Sequence, residues 1–234
     1  MKSERPDLPL TIARLVRSAT PVTPLEPPSV RLARWAITST TLVLLSVVIL
    51  GVRSDVAAQM LSGWFAARAT ATLAIVAAAA IVAVFMSVPG VEPSRLIRGL
   101  PLAACLVWTA MLIGTIATAV SPLDLLLRGT PHPSCVLLIV ATALAPGVSL
   151  VRMLRHAAPL QATWTAGFAG LASFALGALG AQFVCSNDAA AHHLLWHVTP
   201  VVLLSLASAA AGSSVLRWSR RRLPVAHSAS LCDD

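Results

Sequence analysis

Six long apolar segments, separated by short polar ones, restrict the fold of this chain more than any other feature. They lie at about 36–52, 65–87, 101–120, 135–151, 163–184 and 194–216. A membrane-spanning helix needs about 20 mostly apolar residues. Only 11% of the residues are charged and the mean hydropathy is +0.82, whereas about a quarter of the residues in a soluble domain are charged. We therefore predict an all-α membrane protein built as a six-transmembrane-helix bundle.

The basic residues predict how this bundle is oriented. Of the 17 Lys and Arg residues, Arg53, Arg68 and Arg128 alone fall in or beside the odd-numbered loops. Cytoplasmic loops carry an excess of Lys and Arg, so both termini are predicted to be cytoplasmic (N-in/C-in). The net charge of +8 is explained by this topology and by contact with the anionic lipid bilayer. The basic residues are scattered among loops, which argues against direct nucleic-acid binding.

Composition divides the chain into three parts. Residues 1–35 are predicted to form a cytoplasmic N-terminal segment, residues 36–218 the transmembrane domain, and residues 219–234 a basic cytoplasmic tail. In the first part, four apolar residues recur at helical spacing and predict a short amphipathic helix: Leu8, Ile12, Leu15 and Val16. This helix is predicted either to lie on the lipid surface or to bind in the groove of a cytoplasmic partner. The proline-rich stretch TPVTPLEPPSV then separates it from the first span.

We expect no Asp, Glu, Lys or Arg inside any of the six spans, and Arg68 is counted with the basic residues of the outer side. Transporters and pumps usually keep ionisable groups at membrane depth, so the pattern argues against a small metal transporter. The fifth span carries small residues at every fourth position, which predicts close helix packing. They are Thr165, Ala169, Ser173, Gly177 and Ala181. This packing joins helices either within one chain or between copies in a homo-oligomer.

Two of the four cysteines are predicted to lie at the outer membrane face, where the compartment is oxidising. Cys135 opens the fourth span and Cys185 closes the fifth. They form either a disulfide staple that clamps the outer loops or a redox- or metal-responsive thiol pair. Cys105 is predicted to be buried in the third span near its cytoplasmic end, and Cys232 lies in the tail without an evident role.

Histidines cluster near the second of these cysteines. His193 and His197 are four residues apart and therefore share a helix face; His192 adjoins them. Cys and His are the usual ligands of soft and borderline metals. We predict a metal site in which Cys135 and Cys185 are joined by His193, His197 and His132. The alternative is that these histidines only anchor the helix at the membrane edge.

The motifs of enzymes are missing from the sequence. It contains no CxxC motif, no HExxH motif and no serine in the setting of a nucleophile. The carboxylates of the outer loops, Asp55, Asp124 and Asp188, have no evident pairing. We predict that the protein is not an enzyme, and a thiol oxidoreductase is disfavoured for the same reason.

A series of short motifs gives the chain a resemblance to a known family. In order, they are ATPVTPLEPP before RLARW, then GVRSDVAAQM, RGTPHPSC, CSNDAAAHHLLWH and GSSVLRW. From about residue 11 to Trp218, the chain resembles the NrsF family of six-helix anti-sigma factors of the bacterial inner membrane. The resemblance implies that an extracytoplasmic-function sigma factor is held through the cytoplasmic N-terminal segment. It also implies that Cys135 and Cys185 are the sensing pair.

The N-terminal segment departs from the family pattern at its acidic residues. The family usually carries an Asp-Asp pair before the helix, where this chain has Pro9 and Leu10, and a later acid where it has Ser18. Glu4 and Asp7 lie nearby and are the expected substitutes in the sigma contact, which the resemblance assigns to residues 8–18. The alternative function is a structural or assembly protein of the inner membrane whose outer disulfide is a staple.

Overall fold

The computed structural model describes residues 12–13, 16–17, 24–91, 93–119, 133–157 and 159–216. Its helices are α1 (Pro28–Leu50), α2 (Val56–Met60), α3 (Gly63–Met86), α4 (Arg95–Ala117), α5 (Pro133–Arg155), α6 (Ala162–Gln182), α7 (Ala190–His193), a π-helical turn (Leu194–Val198) and α8 (Thr199–Val215). The described part of the chain contains no strand. The prediction of an all-α fold is confirmed.

Six helical units are long and apolar enough to cross a membrane: α1, α3, α4, α5, α6 and the continuous unit Ala190–Val215. The six predicted spans are therefore confirmed, and the protein is a multi-pass membrane protein. Large apolar side chains such as Leu106 and Val107 are exposed on the bundle surface. Exposure of this much apolar surface to water would be unfavourable, whereas the acyl chains of a lipid bilayer would cover it.

Local chemistry sets several helix boundaries. The Ser62 side chain accepts a hydrogen bond from the backbone N–H of Phe65 at the start of α3, and Ser94 does the same for Ile97 at the start of α4. Serine is favoured at this capping position because it pairs an otherwise unsatisfied N–H group. Helix α1 begins at Pro28, eight residues before the predicted span, because proline is well suited to the first helical turn.

Helix α6 forms the centre of the bundle and packs against α3, α5 and α8. Its stripe of small residues is buried along the helix. At Gly177, an added Cβ atom would lie 2.5 Å from the carbonyl oxygen of Ile139 in α5. At Gly212 in α8, it would lie 2.6 Å from the carbonyl oxygen of Ala162. Close packing of α6 with its neighbours thus depends on small residues, as expected for helices in lipid.

Candidate functional site

Two cysteines meet at the end of the bundle that is predicted to face outward, here called the outer end. Cys135 is the third residue of α5, and Cys185 lies in the loop after α6. Their Sγ atoms are 3.7 Å apart, and both residues are free thiols. A disulfide needs about 2.05 Å between the sulfurs. The structure brings the two predicted sensor residues together, while the staple between them stays a prediction.

His192 lies beside both sulfurs. Its Nε2 atom is 3.6 Å from the Sγ atom of Cys135 and 3.4 Å from that of Cys185. The ring of His197 is fully buried, and its centroid is 5.4 Å from that of His192. One ligand atom from each of these four residues lies within 4.8 Å of the other three. We call Cys135, Cys185, His192 and His197 the Cys2His2 cluster, a donor set typical of Zn²⁺ and other soft or borderline metals.

A π-helical turn makes His192 the partner of His197. The backbone N–H of Thr199 donates to the carbonyl oxygen of Leu194, five residues earlier. Pro200 accounts for this widening, because it has no N–H to donate and its ring crowds the carbonyl four residues before it. The wider turn brings residues five apart towards one face. The position of the proline was the sequence signal that could have revealed this register.

The predicted ligand set therefore changes at one position, where His192 stands in place of His193. His193 is buried next to the cluster, and its ring centroid is 4.6 Å from that of His197. Neither of its ring nitrogens has a hydrogen-bond partner among the described residues. His132, the third predicted histidine, lies outside the residues that the structure describes.

Charged residues hold the loop that carries Cys185. The guanidinium of Arg53 pairs with Asp55 at 2.6 Å and with Asp188 at 2.6 Å, and it donates to the carbonyl oxygen of Cys185 at 2.9 Å. Arg68 donates to Asp188 at 2.6 Å. The side chains of Arg53 and Arg68 are only 2% and 1% exposed. We call Arg53, Asp55, Arg68 and Asp188 the charged frame.

The charged frame corrects two expectations. Asp55 and Asp188 are paired, although no pairing is evident in the sequence, where Arg53 and Asp188 are 135 residues apart. Arg68 lies within α3 with a buried side chain, so the expectation that the spans contain no charge is wrong. The physical reason is that Asp188 neutralises Arg68, which makes a buried guanidinium tolerable near the end of a span. Asp124 lies outside the described residues.

Pairing keeps both carboxylates of the frame ionised. Burial raises the pKa of Asp188, but the hydrogen bonds and the positive charges of Arg53 and Arg68 together hold this pKa below its ordinary value. The hydrogen bond from Arg53 lowers the pKa of Asp55 to about 2. Bonds to both carboxylates raise the pKa of Arg53. At neutral pH, the two guanidinium groups and two carboxylates of the frame therefore sum to zero charge.

At the opposite end, here called the inner end, α1 is hydrogen-bonded to α5. Arg31 donates to the carbonyl oxygen of Met153 at 2.7 Å. The Trp35 indole N–H donates to the carbonyl oxygen of Pro146 at 3.1 Å. Helix α5 thus extends from Cys135 at the outer end to its contacts with the first two turns of α1, which form the last part of the predicted N-terminal segment.

Within the predicted partner-binding helix, the structure describes residues 12–13 and 16–17, and these residues are helical. Ile12 is 53% and Val16 is 70% exposed, so these two apolar side chains are available for contact. The remaining predicted partner-binding residues lie outside the described part of the chain: Leu8, Leu15, Glu4 and Asp7.

Residues 15–218 match the family described as NrsF, negative regulator of sigma F. The chain belongs to the NrsF family. The resemblance predicted from the short motifs is therefore confirmed over nearly the whole chain. Membership in NrsF implies a regulatory role, that of a negative regulator with a sigma factor as its partner. Neither the curated proteins nor the solved structures contained a match to this chain.

The outer end of this NrsF protein is suited to two chemical changes. An oxidant could remove two electrons and two protons from Cys135 and Cys185 to form a disulfide. A metal cation could instead displace the thiol protons and be held by thiolate and imidazole ligands. Both changes would act on the start of α5 and on the loop after α6.

Proposed function

We propose that this protein is an anti-sigma factor of the bacterial inner membrane, with both termini in the cytoplasm. It holds an extracytoplasmic-function sigma factor through residues 1–35. It releases that factor when Cys135 and Cys185 respond to redox or metal stress. The observation that best supports the sensing role is the 3.7 Å distance between the two sulfurs. This contact links the start of α5 to the loop after α6.

The proposed sigma contact depends on the N-terminal helix. The exposed apolar side chains of Ile12 and Val16, with Leu8 and Leu15 at the same helical spacing, would dock into a groove of the sigma factor. Sigma factors expose basic surfaces, so Glu4 and Asp7 would steer the encounter and pair with basic residues.

Helix α5 offers a route between the two ends of the bundle. Its outer end carries Cys135, and its inner half holds α1 through Trp35 and Arg31. A disulfide or a bound cation would restrain the outer end of α5 and favour one arrangement of α1 over another. A difference in free energy between two such arrangements is what signalling requires.

The test is a sigma-dependent reporter in cells that express Cys135→Ser or Cys185→Ser. We expect either substitution to change the response of the reporter to thiol oxidants or metal salts, with unchanged amounts of protein in the membrane. Cys105→Ser is the matched control, because this half-buried cysteine of α4 lies outside the cluster. A normal response in both outer variants would overturn the sensing role.

The same sulfur separation also supports a second function, that of a structural or assembly protein whose Cys135–Cys185 disulfide is a staple. In that case, Cys135→Ser would lower the thermal stability of the oxidised protein and leave the reporter unaffected. A small metal transporter is less well supported. In the described spans, the buried charged side chains are Arg31 at the inner end and Arg68, which is paired near the outer end. No Asp, Glu, Lys or Arg of these spans is buried between the two.

A further inference from the structure

We propose that the Cys2His2 cluster is a preformed tetrahedral site for a divalent, thiophilic cation of the class of Zn²⁺ and Cd²⁺. Binding of this cation is the change that the outer end reports. The binding site stands on its own geometry, and only its role as the signal rests on the proposed anti-sigma function.

The distances within the cluster match those of a tetrahedral metal site. With metal–sulfur bonds of about 2.3 Å and metal–nitrogen bonds of about 2.0–2.1 Å, two sulfurs lie about 3.8 Å apart and a sulfur and a nitrogen about 3.6 Å apart. The observed separations are 3.7 Å between the sulfurs, and 3.6 and 3.4 Å from His192 Nε2 to the sulfurs of Cys135 and Cys185. Three of the four ligands thus already form one face of the tetrahedron.

His197 supplies the fourth ligand. Its side chain is completely buried, and neither ring nitrogen has a hydrogen-bond partner among the described residues. A buried imidazole without a partner is unfavourable, and coordination of a cation would satisfy one of its nitrogens. The four ligand atoms lie within 4.8 Å of one another, so a movement of about 1–1.5 Å by this ring would complete a tetrahedral site.

The charge of the surroundings selects a divalent cation. The adjacent charged frame sums to zero, because Arg53 and Arg68 are matched by Asp55 and Asp188. A site with two thiolates, two neutral imidazoles and one divalent cation is also neutral. A monovalent cation would leave one negative charge in a largely buried cluster, which is costly without a partner.

Binding is an exchange of protons for a cation and involves no electron transfer. The thiols of Cys135 and Cys185 each lose a proton, two metal–sulfur bonds and two metal–nitrogen bonds form, and the cation gives up bound water. Two protons are therefore released for each cation bound. Disulfide formation differs because it needs an oxidant and shortens the distance between the sulfurs to about 2.05 Å.

The experiment uses the full-length protein, purified in detergent under reducing conditions without a sigma factor, and titrated with Co²⁺. We expect one Co²⁺ per chain, the intense visible absorption of tetrahedral cobalt, a thiolate charge-transfer band, and the loss of both signals on addition of Zn²⁺. Proton release of two per cation would be measured in a weakly buffered solution. Absence of stoichiometric binding, or a spectrum of octahedral cobalt, would overturn the proposal.

Substitutions then identify the ligands. Cys135→Ser, Cys185→Ser, His192→Gln and His197→Gln are each expected to weaken Co²⁺ binding by roughly 100-fold or more, since each removes one of four ligands. His193→Gln is the matched control, because it alters a buried neighbouring histidine that lies outside the ligand set. Equal loss in this control and in His192→Gln would contradict the assignment of His192.

A second measurement avoids ligand variants, which could fold poorly. In a Cys105→Ser/Cys232→Ser protein, Cys135 and Cys185 are the remaining thiols, and Zn²⁺ is expected to slow their alkylation by maleimide at least about tenfold. An unchanged rate would overturn the proposed metal site.

The failure of the metal site and the failure of the anti-sigma function can be distinguished. Zn²⁺ binding without any capture of a sigma factor would overturn the anti-sigma function and leave the metal site standing. The third outcome is a reporter response that requires both cysteines in a protein that binds neither Co²⁺ nor Zn²⁺. This result would overturn the metal site and support the anti-sigma function with a redox signal.

Discussion

The carboxylate of Asp188 lies 2.6 Å from the buried guanidinium of Arg68. The same carboxylate pairs with Arg53, which also donates to the carbonyl oxygen of Cys185. The position of the Cys185 thiol therefore depends on contacts with α3 and with the loop before α2. Residues outside the ligand set thus orient the candidate sensor, as supporting residues commonly do around metal ligands.

Asp188→Asn is expected to destabilise the protein, because it leaves the buried guanidinium of Arg68 without a carboxylate partner and leaves Arg53 with Asp55 alone. The expected loss in the free energy of unfolding is about 2–3 kcal/mol, at or below the lower end for a broken buried pair, since Asp188 is 28% exposed. Thermal unfolding in detergent measures the change. Asp55→Asn is the control and should have a much smaller effect, because Asp55 is exposed and pairs with Arg53 alone. Equal effects of the two substitutions would contradict the bridging role of Asp188.

The contribution of Asp188 is expected to be constant from pH 8 to pH 5. Its pKa is lowered in the folded protein, so its stabilising effect is present above the unfolded pKa of about 3.9 and is lost as the pH falls through the folded value. The measurement is the difference in melting temperature between the wild type and Asp188→Asn at several pH values. A difference that disappears between pH 7 and pH 5 would show that the frame is itself a pH switch.

The six-helix fold was predictable because the length of each apolar segment can be read from the sequence. Boundaries were less accurate where polar residues enter a helix. Helix α1 starts at Pro28 rather than near residue 36, since Arg31 is buried against α5 through its bond to Met153. A hydropathy pattern does not report that contact, which joins residues 122 positions apart.

The site was predicted only in part, for two physical reasons. The rule that residues four apart share a face holds for an α-helix, whereas the π-helical turn at Leu194–Val198 puts His192, not His193, in the cluster. The pairs of Asp188 with Arg53 and Arg68 depend on tertiary packing between distant segments. Cys135 and Cys185 could be assigned to the same end of the bundle, because the order of the spans alone determines which helix ends lie together.

Trp35→Phe is expected to uncouple the two ends of the bundle. It removes the hydrogen bond from the indole to Pro146, at a cost of about 1 kcal/mol, and retains most of the apolar contact. Trp108→Phe is the control, since the buried Trp108 indole N–H has no hydrogen-bond partner among the described residues. In a sigma-dependent reporter, we expect a weaker response to metal salts for Trp35→Phe only. A normal response would exclude this contact from the route through α5.

Gly177→Ala is expected to force α5 and α6 apart, because the new Cβ atom would lie 2.5 Å from the carbonyl oxygen of Ile139. Overpacking of this kind costs about 1–3 kcal/mol and should also weaken Co²⁺ binding, as α5 carries Cys135. Gly114→Ala in α4 is the control, with no atom within 4 Å of the added Cβ. Melting temperatures and Co²⁺ titrations of both variants make the comparison. Unchanged stability in Gly177→Ala would contradict the close packing of α5 on α6.

The most direct test of the central claim is capture of a co-expressed candidate sigma factor by the detergent-solubilised protein, with and without residues 1–22. We expect the full-length protein to retain the sigma factor and the truncated protein to lose it, while both are inserted in the membrane in equal amounts. Undiminished capture by the truncated protein would contradict the role of the N-terminal segment. No capture by the full-length protein would contradict the anti-sigma function.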